Sequence, residues 1–289
     1  MKLSFNSWVY CGFPSWLPLR SLENTADVLS EIGYEGIEIG AAAPHGFPDY
    51  LDGHRRRAIR RHLDHRGLDV SALCPALGGG PGYNPVSPEP AERLAGLAYM
   101  SACIELAHDL ACENVIWLGG YRRYGQSQAE AWQLAAESLE TCSERAKALG
   151  VRLVVEPTSA DSNLLEQAGD CVRLIEEAGV EAGVMLDTFH IFHRNDEVRD
   201  ALGSAGSRLA YVHLADTNRD APGTHHDFGS VVDELRSLGY DGWLSMEIGF
   251  NRREVDPDGL ARTAHEHLRE ILARSGGPRQ RPATDSRLS

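Results

Sequence analysis

The stretch WQLAAESLETCSERAKALGVRLVVE, residues 132–156, decides the fold. Its first part predicts a helix over Trp132 to Leu149, because apolar residues recur every three or four positions and glutamates occupy the opposite face. Gly150 stands where the C-terminal cap of a helix belongs. Arg152 to Glu156 is a short run rich in β-branched residues, typical of a buried strand. The stretch is therefore one helix-then-strand unit of an α/β fold.

The same order recurs along all 289 residues of the chain. Short apolar runs alternate with longer amphipathic stretches, as expected for a parallel sheet built from βα units. The predicted strands are Leu3–Asn6, Gly36–Ile39, Asp69–Leu73, Asn114–Leu118, Arg152–Glu156, Gly183–Asp187, Leu209–Leu214 and Trp243–Glu247. Eight strands followed by helices predict a single closed (β/α)₈ TIM barrel over residues 1–274.

An open doubly wound sheet is the alternative fold. It would need a glycine-rich phosphate-binding turn after the first strand, where this chain has NSWVY at residues 6–10. The glycine cluster at residues 78–82 lacks the Lys-Ser/Thr of a P-loop and is interpreted as a mobile loop. Two similar strand starts, GYEGI at 33–37 and GYDGW at 239–243, favour one repeated βα module over two unrelated domains.

Composition excludes several classes of protein. The 28 Lys and Arg against 42 Asp and Glu give a net charge of −14, which repels nucleic acid, and the arginines of residues 54–61 spread over a solvated helix face. No run approaches the ~20 apolar residues of a membrane span. Six cysteines without a CxxC pair fit reduced thiols, so we expect a soluble, cytoplasmic protein. Residues 275–289 are polar without apolar period, which predicts a disordered tail.

Polar residues lie at or next to the ends of the last four predicted strands. Three strands end in the carboxylates of Glu156, Asp187 and Glu247, and the fourth carries His213 near its end. A barrel brings such side chains to one small volume at its C-terminal face. Three carboxylates in that volume would repel one another and stay partly protonated unless a cation lay among them. This oxygen-rich set suits Mn²⁺ or Mg²⁺, with Co²⁺ tolerated, and predicts a divalent-metal site.

Five motifs resemble the xylose-isomerase-like barrels, and within them the sugar isomerase/epimerase branch of D-tagatose, D-psicose and fructoselysine 3-epimerases. The motifs are Glu156-Pro157 with Asn163, Asp187-Thr188-Phe189-His190, His213-Leu214-Ala215-Asp216 with Arg219, Pro222-Gly223, and Glu247. The resemblance runs from about Leu3 to Leu272.

The resemblance implies roles for residues of this chain. Its metal ligands would be Glu156, Asp187, His213 and Glu247, with Mn²⁺ the expected ion, and Glu156 and Glu247 would also be the acid/base pair. The substrate-binding residues that it implies are His190, Arg219, Trp117 in the sugar-facing wall, and Asp161 in the loop after the fifth strand. Barrels of this family often assemble as homodimers or homotetramers.

The implied activity is that of a metal-dependent isomerase acting on a small-molecule carbohydrate. One glutamate would take the proton next to the ketose carbonyl as general base, and the metal and Arg219 would stabilise the resulting cis-enediolate. Returning a proton to the opposite face inverts the carbon, as in a ketose 3-epimerase. Returning it to the neighbouring carbon interconverts aldose and ketose. The sequence leaves both outcomes open.

Two loops depart from the family's pattern. Asp161 lies five positions after Glu156, where the family has an acid six positions on. The segment PGTHHDF, residues 222–228, lacks the family's second glycine. Because both loops line the substrate side in the family, we expect a substrate other than the free ketohexoses. APHGF at residues 43–47 resembles the fructoselysine-type members and indicates a substituted or larger sugar.

Other functions remain as alternatives. A lyase on the same barrel, either a sugar dehydratase or an eliminase acting on a 3-keto sugar or C-glycoside, would use the same base and metal. An apurinic endonuclease would need several zinc ions, more histidine ligands and a basic face. Retention of every implied ligand disfavours a non-catalytic sugar-binding protein. His225 or His226 could touch substrate, which the sequence leaves open. Four further histidines are interpreted as surface groups (His54, His193) or as structural or solvated (His265, His267).

Overall fold

The computed structural model describes residues 1–11, 19–76, 83–249 and 256–274. They contain a closed barrel of eight parallel strands in chain order, with the first strand paired to the last. The strands are β1 (Lys2–Asn6), β2 (Gly36–Gly40), β3 (Asp69–Cys74), β4 (Asn114–Leu118), β5 (Arg152–Glu156), β6 (Gly183–Asp187), β7 (Leu209–Leu214) and β8 (Trp243–Met246). The predicted barrel is confirmed, with every predicted strand end within one residue, and the open sheet is excluded.

Helices connect the strands and cover the outside of the barrel. They are α1 (Trp8–Cys11), α2 (Leu22–Ile32), α3 (Gly53–Arg66), α4 (Pro90–Asp109), α5 (Gln128–Leu149), α6 (Ala168–Ala178), α7 (Thr188–Arg194), α8 (Val198–Ala205), α9 (Phe228–Ser237) and α10 (Pro257–Ala273). None of these helices is long and apolar enough to cross a bilayer. The predicted loop at 78–82 and the predicted tail at 275–289 fall outside the described residues.

Helix α5 shows how local sequence sets these elements. It begins four residues before the predicted start, because the Ser127 side chain accepts a hydrogen bond from the Glu130 backbone and caps the first turn. It ends at Gly150, whose left-handed backbone (φ 68°) is the predicted cap. Leu139 and Cys142 lie in the core.

Alternation along the strands separates two apolar layers. Outward-facing residues pack under the helices, whereas a second cluster fills the barrel interior. That interior cluster includes Ala72, Ile116, Val154, Met185 and Tyr211. Because side chains alternate, residues two positions further along a strand point into the same space, nearer the C-terminal mouth. This parity decides which polar side chains reach the mouth.

Candidate metal centre and active site

Four buried side chains meet at the C-terminal mouth of the barrel. Glu156 and Asp187 end β5 and β6, His213 lies near the end of β7, and Glu247 directly follows β8. One possible ligand atom from each residue lies within 4.8 Å of the others. Their convergence follows from strand parity, since Glu156, Asp187 and His213 each stand two residues beyond a member of the interior cluster. The structure therefore brings the four implied metal ligands together.

The two glutamates of this cluster have pKa values shifted in opposite directions. Burial raises the pKa of Glu156 well above its ordinary value, and the charges of Glu247 and Asp187 add to that effect while His213 opposes it. Burial would also raise the pKa of Glu247, but Arg219 and His213 outweigh it and hold that pKa below its ordinary value. A divalent cation among the oxygens would favour the ionised form of all three carboxylates.

His213 presents one ring nitrogen to the carboxylates. Its Nε2 lies 2.9 and 2.8 Å from the two carboxylate oxygens of Glu38. Its Nδ1 is buried without a hydrogen-bond partner in the described ranges, 3.4 Å from Glu247 Oε2 and 3.9 Å from Glu156 Oε1. An imidazole nitrogen without a hydrogen bond, facing carboxylate oxygens, fits a divalent cation. We conclude that these residues suit the metal that the donor set implies.

Arg219 is a buried cation beside the cluster. Its guanidinium pairs with Asp187 and with Glu247, whose Oε2 lies 2.7 Å from Nη1. The guanidinium carbon lies 4.1 Å from the centre of the Phe189 ring. Asn218 and Arg219 both have left-handed backbones (φ 60° and 57°), which non-glycine residues rarely adopt. This strained turn holds the guanidinium at the site.

His190 is a neutral hydrogen-bond donor that faces the same volume. Its Nδ1 accepts a hydrogen bond from the Ala160 backbone N–H at 3.2 Å, so Nε2 carries the proton. Nε2 lies 4.0 Å from oxygens of Glu156, Asp187 and Asp161. Burial lowers the pKa of His190 to about 3, although Asp187 acts in the opposite direction. The imidazole is therefore uncharged near neutral pH and can donate Nε2–H to a substrate oxygen.

Asp161 lies at the rim of the site. Its carboxylate is 72% exposed and reaches within 4.0 Å of His190 Nε2. Partial burial raises its pKa, with Arg219 opposing and Glu247 and Asp187 adding to the rise. Its position above His190 is compatible with the predicted substrate contact.

Trp117 is the one implied site residue that the structure does not bring to the mouth. It is fully buried in the outer layer beneath the helices, near Cys142 of α5. Its neighbours on β4, Ile116 and Leu118, contact the interior cluster instead. This position does not support the predicted place of Trp117 in the sugar-facing wall, because a shift by one residue along a strand places a side chain on the opposite face.

Trp8 is an aromatic residue of the barrel interior that the sequence motifs did not indicate. Its indole N–H donates to Cys74 Sγ at 3.3 Å, and the ring belongs to the interior cluster. Gly40 allows this packing, because an added Cβ would lie 3.0 Å from the indole. Glu38 was also missed, although a lone acid within the apolar strand GIEIG is an unusual signal that could have identified it.

Two histidines, His225 and His226, lie in the loop after β7. His226 Nδ1 lies 2.6 Å from the buried Asp216 carboxylate, and its ring stacks on Phe192. His225 donates its backbone N–H to the same carboxylate, with a half-exposed side chain. Their contacts organise the loop after β7. His54 and His193 are exposed, His265 is buried with Nε2 3.1 Å from the Gly33 carbonyl, and His267 is half-buried.

His45, in the segment APHGF, is buried, with Nε2 2.9 Å from the Arg20 carbonyl. Burial lowers its pKa to about 4, although the hydrogen bond to the Arg20 carbonyl and the charge of Glu23 oppose that shift. The unfolded chain takes up a proton at this histidine below about pH 6.5, whereas the fold resists protonation until about pH 4. The free energy of unfolding is therefore unaffected by His45 above about pH 6.5, and it falls as the pH decreases from 6.5 towards 4.

We expect His45→Gln to reduce this acid sensitivity. Between pH 7 and pH 5, wild type should lose about 2 kcal/mol more unfolding free energy than the variant, measured by urea denaturation. The exposed His54→Gln is the matched control and should follow wild type. An equal loss in wild type and His45→Gln would contradict the prediction.

Known proteins resemble this chain in sequence and in fold. A sequence model of a family described as xylose isomerase-like TIM barrel matches residues 26–271. L-ribulose 3-epimerase of Mesorhizobium japonicum is 28% identical over 91% of this chain and 86% of its own length. Fructoselysine 3-epimerase of Shigella flexneri is 25% identical over 84% of this chain and 90% of its own. A crystal structure of D-psicose 3-epimerase in the presence of D-fructose shares the fold, with a TM-score of 0.81, 21% identity and coverage of 94% and 99% of the two chains.

Proposed function

Because this chain belongs to the xylose isomerase-like TIM barrel family, we propose that it is a divalent-metal-dependent ketose epimerase. The family resemblance inferred from the five motifs is confirmed by that match. The observation that carries the proposal is the buried cluster of Glu156, Asp187, His213 and Glu247 at the mouth of the barrel. Relatives named as epimerases of L-ribulose and fructoselysine support a ketose as the substrate.

Two glutamates can exchange protons with opposite faces of one carbon. Glu156 ends β5 and Glu247 follows β8, three strands further around the closed barrel, so their carboxylates enter the mouth from different sides. One carboxylate takes the proton next to the carbonyl, and the other returns a proton to the opposite face. This arrangement inverts a stereocentre without changing the mass of the sugar.

Hydrogen-bond donors stabilise the charge that develops on the substrate oxygens. His190 provides a neutral Nε2–H, and Arg219 provides a cationic guanidinium fixed by Asp187 and Glu247. When bound by Glu156, Asp187, His213 and Glu247, a divalent cation would polarise the carbonyl as a Lewis acid. Mn²⁺ is the proposed ion, with Mg²⁺ and Co²⁺ as alternatives, since the donor set is oxygen-rich.

The proposal also includes the size of the substrate, the cellular location and the assembly of the protein. The shortened loop with Asp161 supports a ketose that differs from the free ketohexoses, including one with a substituent. Six free, buried cysteines are compatible with the proposed cytoplasmic location. A homodimer or homotetramer remains the expected assembly, with no nucleic-acid or membrane partner.

The test of this function is incubation with a panel of sugars, including L-ribulose, fructose, allulose, tagatose, fructoselysine and 3-keto-glycosides. We expect at least one sugar to give a mass-neutral product inverted at one carbon, detected by NMR and mass spectrometry. Loss of water or of an aglycone would identify a lyase and contradict the proposal. Heat-inactivated protein controls for spontaneous epimerisation.

Trp117→Phe separates a structural role from a substrate contact. Because Trp117 lies beneath the helices, we expect the unfolding free energy to fall by about 1 to 3 kcal/mol. The KM for the sugar identified by the panel should change less than about twofold. Urea denaturation and steady-state kinetics measure the two quantities. A tenfold rise in KM with an unchanged free energy of unfolding would show that Trp117 contacts the sugar.

A further inference from the structure

Glu38 is a fully buried carboxylate outside the four-ligand cluster. It is the one charged residue of β2 and is 0% exposed. Besides the two contacts with His213 Nε2, its oxygens accept hydrogen bonds from the Tyr211 hydroxyl at 2.8 Å and from Asn6 Nδ2 at 2.7 Å. Glu38 is therefore held from several strands and directed towards His213.

The contact with Glu38 decides which nitrogen of His213 faces the cluster. A carboxylate can only accept, so His213 Nε2 carries a proton and donates it to Glu38. Nδ1, which faces Glu156 and Glu247, then presents its lone pair when the ring is neutral. A carboxylate behind a metal-binding imidazole also makes that imidazole a stronger ligand.

Asn6 extends the same network to a second ligand. Its Oδ1 accepts a hydrogen bond from the Trp8 backbone at 2.8 Å, which fixes the orientation of the side-chain amide. The Nδ2 group then contacts both Glu38 Oε1 and Glu247 Oε1, the latter at 3.4 Å. One buried carboxylate therefore connects to both His213 and Glu247.

Stability alone does not account for these polar groups inside the barrel. The Tyr211 hydroxyl contacts Ser71 Oγ at 2.8 Å, and Ser71 contacts Ser4 Oγ at 2.6 Å, so buried polar groups continue towards the barrel floor. Buried charge pairs are often less stabilising than apolar side chains of similar volume, because both charges lose their hydration. A role in orienting ligands explains why the charge is placed here.

We propose that Glu38 is a positioning residue of the metal centre, which fixes the Nε2-protonated tautomer of His213 and raises the affinity of the site for a divalent cation. This inference rests on the proposed function, because it takes His213 as a metal ligand. Glu38 itself acts through His213 and Asn6 and does not touch the substrate.

The test compares Mn²⁺ binding by metal-stripped wild type, Glu38→Gln and the control Glu35→Gln. Glu35 precedes β2, and its carboxylate accepts from the Leu3 backbone outside this network. EPR of free Mn²⁺ should give a Kd that rises about 10- to 100-fold in Glu38→Gln and changes less than about twofold in Glu35→Gln. A wild-type Kd in Glu38→Gln would overturn the inference and leave the proposed function intact. A wild type that binds no Mn²⁺ or other divalent ion would overturn both.

A second measurement needs no folded Glu38 variant. In wild type with ¹⁵N-labelled histidine, the His213 signals are assigned by their loss in His213→Asn. With Mg²⁺ bound, we expect a protonated Nε2 and an Nδ1 resonance that shifts on adding the ion. An Nδ1-protonated ring in the Mg²⁺-bound protein would contradict the positioning role.

Discussion

Glu247→Gln is expected to lower kcat/KM by at least about 10³-fold, with Glu156→Gln giving a loss of similar size. Each substitution removes a general acid or base, a loss of about 10² to 10⁴ in rate, and also a charged oxygen of the metal site. Glutamine matches the shape of glutamate, so the fold should persist. Steady-state kinetics on the sugar identified by the panel gives the rates.

The control for both variants is Glu140→Gln, which replaces an exposed carboxylate on α5 and should keep wild-type kinetics. Circular dichroism and thermal unfolding check that every variant is folded. Activity within tenfold of wild type in either Glu156→Gln or Glu247→Gln would show that the carboxylate is not an acid or base of the reaction.

Removal of divalent ions is expected to abolish turnover reversibly. Without a cation, burial and the charges of Glu247 and Asp187 raise the pKa of Glu156, although His213 opposes the shift, and a raised pKa works against proton abstraction by this carboxylate. Dialysis against EDTA should reduce the rate more than about 10³-fold, and added Mn²⁺ should restore it. Adding Mg²⁺ or Co²⁺ separately and comparing the restored rates ranks the ions.

EDTA already saturated with Mn²⁺ is the matched control and should leave the rate unchanged. Thermal unfolding of the stripped protein shows whether the fold survives without metal. Full activity after exhaustive stripping, with the metal content verified by elemental analysis, would contradict a metal-dependent mechanism.

Periodicity predicted the barrel because buried parallel strands are continuous apolar runs bounded by turn residues. The strand that ends in Glu156 follows a helix whose glycine cap is visible in the sequence. The start of α5 was less visible, since its first turn is defined by the Ser127 cap and not by apolar spacing. End positions of strands also predicted which carboxylates would meet, because a closed barrel leaves them one common edge.

The sequence could not show which face of each strand points inwards. Trp117 lies on the outer face of β4, one residue away from the inward-facing Ile116. The lone acid in GIEIG makes Glu38 unusual, but its partner His213 lies far along the chain on β7. Such partners are set by closure of the barrel, which pairs β1 with β8 and surrounds one interior. Local pattern contains no information about contacts across that interior.

The most direct test of proton abstraction next to a ketose carbonyl is the reaction in D₂O. The sugar that the panel identifies is incubated with the Mn²⁺-loaded protein, and product and recovered substrate are analysed by NMR. The mechanism predicts one deuterium at the inverted carbon of the product and none elsewhere. An epimer formed in D₂O that retains its original hydrogen at that carbon would contradict exchange through Glu156 and Glu247.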